Sequence, residues 1–237
     1  MRRNLARVEN DALLGQLQGD VIAIQAIALA GGPDLDRQVP SCPGWTVTEL
    51  LSHLWVVQTW VRSILRDREP QPTPDAGPSP VADFIDGIPD FLTAMAAITA
   101  DEACWTFGPK PRQAGWWIRR QAHEHAIHRV DVEAAFGTTP TFDAAFAADG
   151  VDEVVSMFYP RQLRMQRTTP VSETIRILAA DTGDQWTLGD GDPVASVTAD
   201  AQTLYLAMWK RGDLANITRI DGDSAAVRRS LGLALTP

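Results

Sequence analysis

Three of the four histidines in this chain fall within His123–His128, inside the segment Trp116-Trp-Ile-Arg-Arg-Gln-Ala-His-Glu-His-Ala-Ile-His-Arg-Val-Asp131. Such a cluster invites the His-Glu-x-x-His pattern of zinc proteases. The pattern fails by one position, because Ile127 stands where the second histidine is required. What the spacing does allow is Glu124 with His128, four apart and stacked on one helix face. A carboxylate and an imidazole so placed supply two of the three protein ligands of a catalytic divalent-metal site. His125 with His128, three apart, is the competing pair. It uses a rotated face and lacks the carboxylate.

The third ligand must come from elsewhere, and the remaining histidine is His53. It lies at the edge of an apolar stripe on another helix, and inward-facing His and Glu side chains on separate helices are how bundles build metal sites. Three protein ligands leave a position open for water or a substrate atom. The donor set suits Zn²⁺, and also Ni²⁺, Co²⁺ or Fe²⁺. Arg120 and Arg129 read as salt-bridge partners of Asp131 and Glu133. Cys42 has no basic neighbour to activate its thiol and reads as a buried structural cysteine. Trp116 and Trp117 adjoin, so at most one faces the core fully and the other is left to line a cleft.

The elements that must position these groups follow from periodicity. Asn10–Ala30 predicts a helix through Leu13, Leu14, Leu17, Val21, Ile24 and Ala28, stopped by Gly31-Gly32-Pro33. The loop Val39-Pro-Ser-Cys-Pro-Gly-Trp45 leads into a capping box, with Thr46 as N-cap and Glu49 as its partner. Trp45 and Leu50 are placed for a hydrophobic staple. The helix then runs to Asp67, with Val47, Leu50, Leu51, Leu54, Val57, Val61, Ile64 and Leu65 inward. Glu69–Pro80 is a proline-rich linker. Val81–Ala100 is helical, with a kink or restart expected at Gly87 and Pro89. Gly115–Phe136 forms the helix of the histidine cluster, closed by Gly137, and a further helix spans Asp143–Tyr159. Beyond it the period changes. Thr174–Ala180 and Gln185–Leu188 read as a hairpin, Val194–Thr198 and Ile217–Ile220 as two more strands, and Asp200–Arg211 and Ser224–Leu233 as helices. The expectation is an α+β chain, with a helical bundle over 1–160 and a small α/β unit over 161–237.

Composition narrows the function classes. The chain has 237 residues, 45% hydrophobic and 22% charged, and a formal net charge of −9. An acidic chain of ordinary globular composition is a poor nucleic-acid partner. Two cysteines are too few for a disulfide framework and suit a reducing cytoplasm. The N-terminus lacks an apolar leader core, and the longest apolar runs are broken by Gln25 and His53, so neither secretion nor membrane insertion is expected. A monomer or homodimer with a small-molecule substrate is the corresponding expectation.

Three segments resemble the actinobacterial mycothiol-dependent maleylpyruvate isomerase family: Val39–His53, Arg120–Asp131 and Ala148-Asp-Gly-Val-Asp-Glu153. Leu204–Arg211 and Ile220-Asp-Gly-Asp223 resemble pieces of its C-terminal domain. The resemblance implies a DinB-like four-helix bundle followed by a small sterol-carrier-like α/β domain. It also implies His53, Glu124 and His128 as ligands of a divalent metal, with His125, Arg120 and Asp131 around them. His123 and His125 are expected to support the ligands or to face solvent. The implied cosubstrate is mycothiol, a low-molecular-weight thiol held as thiolate. The implied activity is that of an isomerase or S-transferase on a small electrophile, with Arg211, and Arg219 behind it, holding substrate carboxylates. Two other classes fit the same residues: a metal-dependent hydrolase using an activated water, and a non-enzymatic metal- or ligand-binding module.

Overall fold

The capping box forms as its residues require. In a computed structural model, which describes residues 8–217 and 219–237, the Thr46 side chain accepts from the Glu49 backbone N–H, and Glu49 accepts from the Thr46 N–H at 2.6 Å. Thr218 and residues 1–7, on which part of the leader expectation rests, lie outside the described residues. The box starts helix α2, Val47–Asp67, whose buried face is Val47, Leu50, Leu51, Leu54, Gln58, Val61, Ile64 and Leu65. Gln58 takes the inward place expected for Val57, for a reason that the site makes plain. Trp45 does not bury itself as a staple: it is 37% exposed, and its ring stands against His53.

Three more helices complete the bundle: α1 (Asn10–Ala30), α3 (Pro80–Ala96) and α4 (Gly115–Ala135). α1 packs on α4, and α2 packs on α3. α3 buries Phe84, Ile88, Phe91 and Met95, and it runs on through Pro89 without the restart that was one of the two expectations there. By length and composition α1 is apolar enough to cross a membrane, contrary to the expectation from its broken run. In this fold it instead buries Leu13, Leu17, Val21, Ile24 and Ala28 in the bundle. It also carries the fully buried Asp20, which pairs with Arg129 of α4 at 3.0 Å. Burial pushes the Asp20 carboxyl up, and its bonds to Gln16 and Arg129 work against that shift. Such a buried charge is tolerable only when paired.

The chain divides into two compact units, Glu9–Pro140 and a second running from Thr141 to Pro237. The break comes earlier than the boundary expected at residue 160. Helix α5 (Ala144–Glu153) is the cause, since it packs on α7 (Ala201–Met208) of the C-terminal unit. A Cβ at Gly150 would stand 2.3 Å from the Tyr205 ring, so only glycine permits that approach. Hydrophobic periodicity marks the helix but not the neighbour it docks on. After α5 the helix passes through a π-helical turn, Val154–Phe158, into α6 (Tyr159–Arg164). Pro160 has no N–H to continue the ordinary ladder there.

The four strands are β1 (Ile175–Ala179), β2 (Gln185–Leu188), β3 (Ala195–Ala199) and β4 (Arg219–Gly222), in the order β2-β1-β3-β4. β1 pairs antiparallel with β2 and parallel with β3, and β3 pairs antiparallel with β4. α7 and α8 (Ser224–Gly232) start on the side-chain caps of Asp200 and Asp223. The α+β class expected from the change of period is the class observed.

Candidate metal centre

Helix α4 is unlike its neighbours. It buries Arg120, Gln121, His123, His125 and Asp131 alongside Trp117, Ile118, Ile127 and Val130. Each buried polar group therefore needs a partner, and the partners divide the helix into two environments.

The first gathers the expected triad. Glu124 Oε1 lies 3.3 Å from His53 Nε2 and 3.4 Å from His128 Nε2. One donor atom from each of His53, Glu124 and His128 falls within 4.8 Å of the other two. Two ligand atoms about 2.1 Å from a common tetrahedral ion stand about 3.4 Å apart. The observed separations meet that requirement, so the donor set fits a divalent ion. The His53 and His128 rings sit edge to face, 5.0 Å between centroids.

The surroundings fix these donors. Arg120, 2% exposed, donates through Nη2 to Glu124 Oε2 at 2.8 Å and leaves Oε1 facing the imidazoles. Asp131, fully buried, accepts from His128 Nδ1 at 2.9 Å through Oδ2, which directs Nε2 inward. Arg120 and Asp131 thus each contact one member of the triad. Burial opposes the charged form of Glu124, but hydrogen bonds from His128 and His53 and the Arg120 guanidinium hold its carboxyl well below the usual range. Burial likewise opposes the His128 cation, yet the bonds to Asp131 and Glu124 carry its pKa up to about 9.

The second environment corrects an expectation. His125 neither supports the ligands nor faces solvent. It is fully buried, stacked on Phe91 at 5.1 Å, with Nδ1 on the Gln121 carbonyl at 2.9 Å and Nε2 on Gln58 Nε2 at 3.1 Å. With Nδ1–H donating to the carbonyl, Nε2 accepts from the Gln58 amide. Burial lowers its pKa to about 4. Here is the reason for Gln58 on the inner face of α2. His123 is also fully buried, so neither histidine faces solvent.

Three contributors were missed. Ser41 donates to Asp131 Oδ1, the Cys42 thiol donates to Asp131 Oδ2 at 3.6 Å, and Trp45 packs on His53 with 5.2 Å between rings. Cys42 is half-buried rather than a core cysteine. The only signal for them was the Pro-Ser-Cys-Pro-Gly-Trp loop immediately before the His53 helix. Trp117 is the core-facing member of the tryptophan pair, and Trp116 packs edge-on to it at 4.9 Å. Arg129 pairs with Glu133 as expected. In the C-terminal unit, Arg211 is half-buried and donates to the Trp209 carbonyl. Arg219 is exposed and paired with Asp221.

Fold and site together define a class: a two-unit α+β protein whose four-helix bundle gathers a His–Glu–His donor set. The mycothiol maleylpyruvate isomerase N-terminal domain matches residues 22–133, and the C-terminal domain of the same family matches residues 145–229. The chain belongs to this family, an enzyme family named for an isomerase. Among solved structures, the chain is similar to the mycothiol-dependent maleylpyruvate isomerase, with a TM-score of 0.62 and 13% identity over 89% of this chain and 92% of that one. It is similar also to a histidine-to-alanine mutant of the mycothiol-dependent maleylpyruvate isomerase, with a TM-score of 0.64 and 12% identity over 92% and 99%. No curated protein matches it in sequence.

Proposed function

We propose that the protein is a divalent-metal-dependent enzyme that uses mycothiol to isomerise a small electrophile, or joins the thiol to it through sulfur as an S-transferase. The observation that carries this reading is the convergence of His53, Glu124 and His128 donor atoms within 4.8 Å of one another, with the Glu124 oxygen at 3.3 and 3.4 Å from the two imidazoles. His53 and His128 would hold the ion through Nε2 and Glu124 through Oε1, with Zn²⁺ the first choice and Ni²⁺, Co²⁺ and Fe²⁺ compatible. When bound, the ion supplies the positive charge that favours a thiol's anionic form at neutral pH.

The chain's own residues do the rest of the preparation. Arg120 keeps Glu124 ionised, and Asp131 keeps the His128 ring turned with Nε2 toward it. The thiolate sulfur adds to a carbon–carbon double bond conjugated to a carbonyl, the bond order falls and rotation is allowed. Expulsion of the sulfur then restores the double bond in the other geometry. Substrate carboxylates are assigned to Arg211, with Arg219 behind it. A cytoplasmic setting suits a reaction that depends on a reduced thiol.

Elemental analysis and turnover test this reading. The protein should carry one divalent ion per chain and convert a conjugated cis-enoic acid only when mycothiol is added. A full metal load in His53→Ala would contradict the site. Ester or amide turnover without thiol would favour a hydrolase, and metal binding without any thiol response would favour a binding module.

A further inference from the structure

The loop between the end of the first helix and α2 reaches both halves of the donor set, His53 by direct contact and His128 through Asp131, and it does so from a braced frame. Gln38 and Thr46 form an isolated antiparallel bridge that closes the loop's two ends. Inside it, Val39 N–H donates to the Trp45 carbonyl at 2.8 Å, Cys42 N–H to the Val39 carbonyl at 3.1 Å, and Trp45 N–H to the Cys42 carbonyl at 3.0 Å. Gly44 takes the left-handed conformation, φ +85, that closes the turn. Val39 is 2% exposed and anchors the frame in the bundle. Three contacts leave this frame. Ser41 and Cys42 donate to the two oxygens of Asp131, whose Oδ2 receives His128 Nδ1–H. Trp45 lies against the ring of His53.

We infer that the 38–46 loop is a positioning element for the metal ligands, with Ser41 its principal residue. Asp131 is buried and has two carboxylate oxygens to orient. A hydroxyl on Oδ1 fixes the carboxylate plane, and with Oδ2 held there, His128 keeps its proton on Nδ1 and its Nε2 lone pair toward the other donors. The loop thereby ties a ligand on α4 to the start of α2, the helix that carries the other imidazole. Ser41 and Cys42 touch neither ligand directly, so their effect passes through Asp131. This inference rests on the metal-site reading above.

The test is Co²⁺ affinity, measured by competition with a chromogenic chelator, on the full-length protein and four variants. Outer partners of a ligating histidine are worth roughly 10–100-fold in metal affinity. Asp131→Asn should fall in that range, and Ser41→Ala near its lower end, about tenfold. Ser41→Thr, which keeps the hydroxyl, should restore affinity to within about threefold of the parent. Glu49→Ala breaks the adjacent capping box without touching Asp131, so it should lower the melting temperature and leave Co²⁺ affinity unchanged. If Ser41→Ala binds Co²⁺ like the parent, or if Glu49→Ala weakens binding as much as Ser41→Ala does, the inference fails and the site reading stands. If the parent protein binds no Co²⁺, both fail together.

Discussion

His125 and His128 stand three residues apart on one helix, the first fully buried and the second mostly so, and their surroundings push them in opposite directions. His128 faces two carboxylates and is stabilised as a cation, with its pKa up to about 9. His125 faces an aromatic ring, a primary amide and a carbonyl, and is held neutral, with its pKa down to about 4. Three residues along a helix leave two side chains about 60° apart around the axis, enough here to give them different neighbours. Burial alone therefore says little about a histidine's role. What decides it is whether the groups beside the ring are carboxylates that leave Nε2 among other donors, or neutral groups that use both nitrogens.

The comparison breaks most sharply under substitution. His128→Ala should reduce divalent-metal affinity by more than the roughly 100-fold of an outer partner, read by equilibrium dialysis. His125→Ala should leave the metal load intact and cost roughly 2–4 kcal/mol of stability, from the cavity and the stranded Gln58 amide, read by denaturant unfolding. Equal metal loss in the two variants would erase the distinction.

The pH dependence of the metal-free protein sharpens the same contrast. Free histidine titrates near 6.5. Between about pH 4 and 6.5 the unfolded chain protonates residue 125 and the folded chain does not. Its contribution is thus present above about 6.5 and lost as pH falls toward about 4, by up to about 3 kcal/mol. His128 acts with the opposite sign: its contribution is complete below about 6.5 and is lost as pH rises through about 9. Urea titrations across pH should show both limbs, and His128→Gln should remove the alkaline limb alone. Metal binding must also displace the His128 proton, so affinity should strengthen by about tenfold per pH unit up to about pH 9.

A smaller effect belongs to the α2 start, where Glu49→Ala should lower stability by less than His125→Ala does. A loss as large as that of His125→Ala would mean that the box supports more than the helix end.

How much of this was legible beforehand depended on whether a signal was local. The Thr46/Glu49 box, the extents of α1 and α4, the four strands and the Glu124–His128 pair are all written in nearest-neighbour spacing, and the structure has them. His53 was reachable because it was the one histidine left. The core role of His125 was not legible, since it depends on Gln58 and Phe91 arriving from α2 and α3. Ser41 and Cys42 were obscure for the same reason, their partner Asp131 lying 90 and 89 residues away in sequence. The break at Pro140 was missed because α5 looks like a bundle helix by period and reveals its docking partner only through Gly150 and Tyr205.

The central claim is that His53, Glu124 and His128 hold an ion to which the cosubstrate's sulfur is delivered. X-ray absorption at the metal edge tests it most directly, with the Zn²⁺-loaded protein measured before and after addition of mycothiol. The account predicts a shell of nitrogen and oxygen neighbours alone before addition, and one sulfur neighbour after it. A shell already containing sulfur, or one unchanged at saturating thiol, would contradict it.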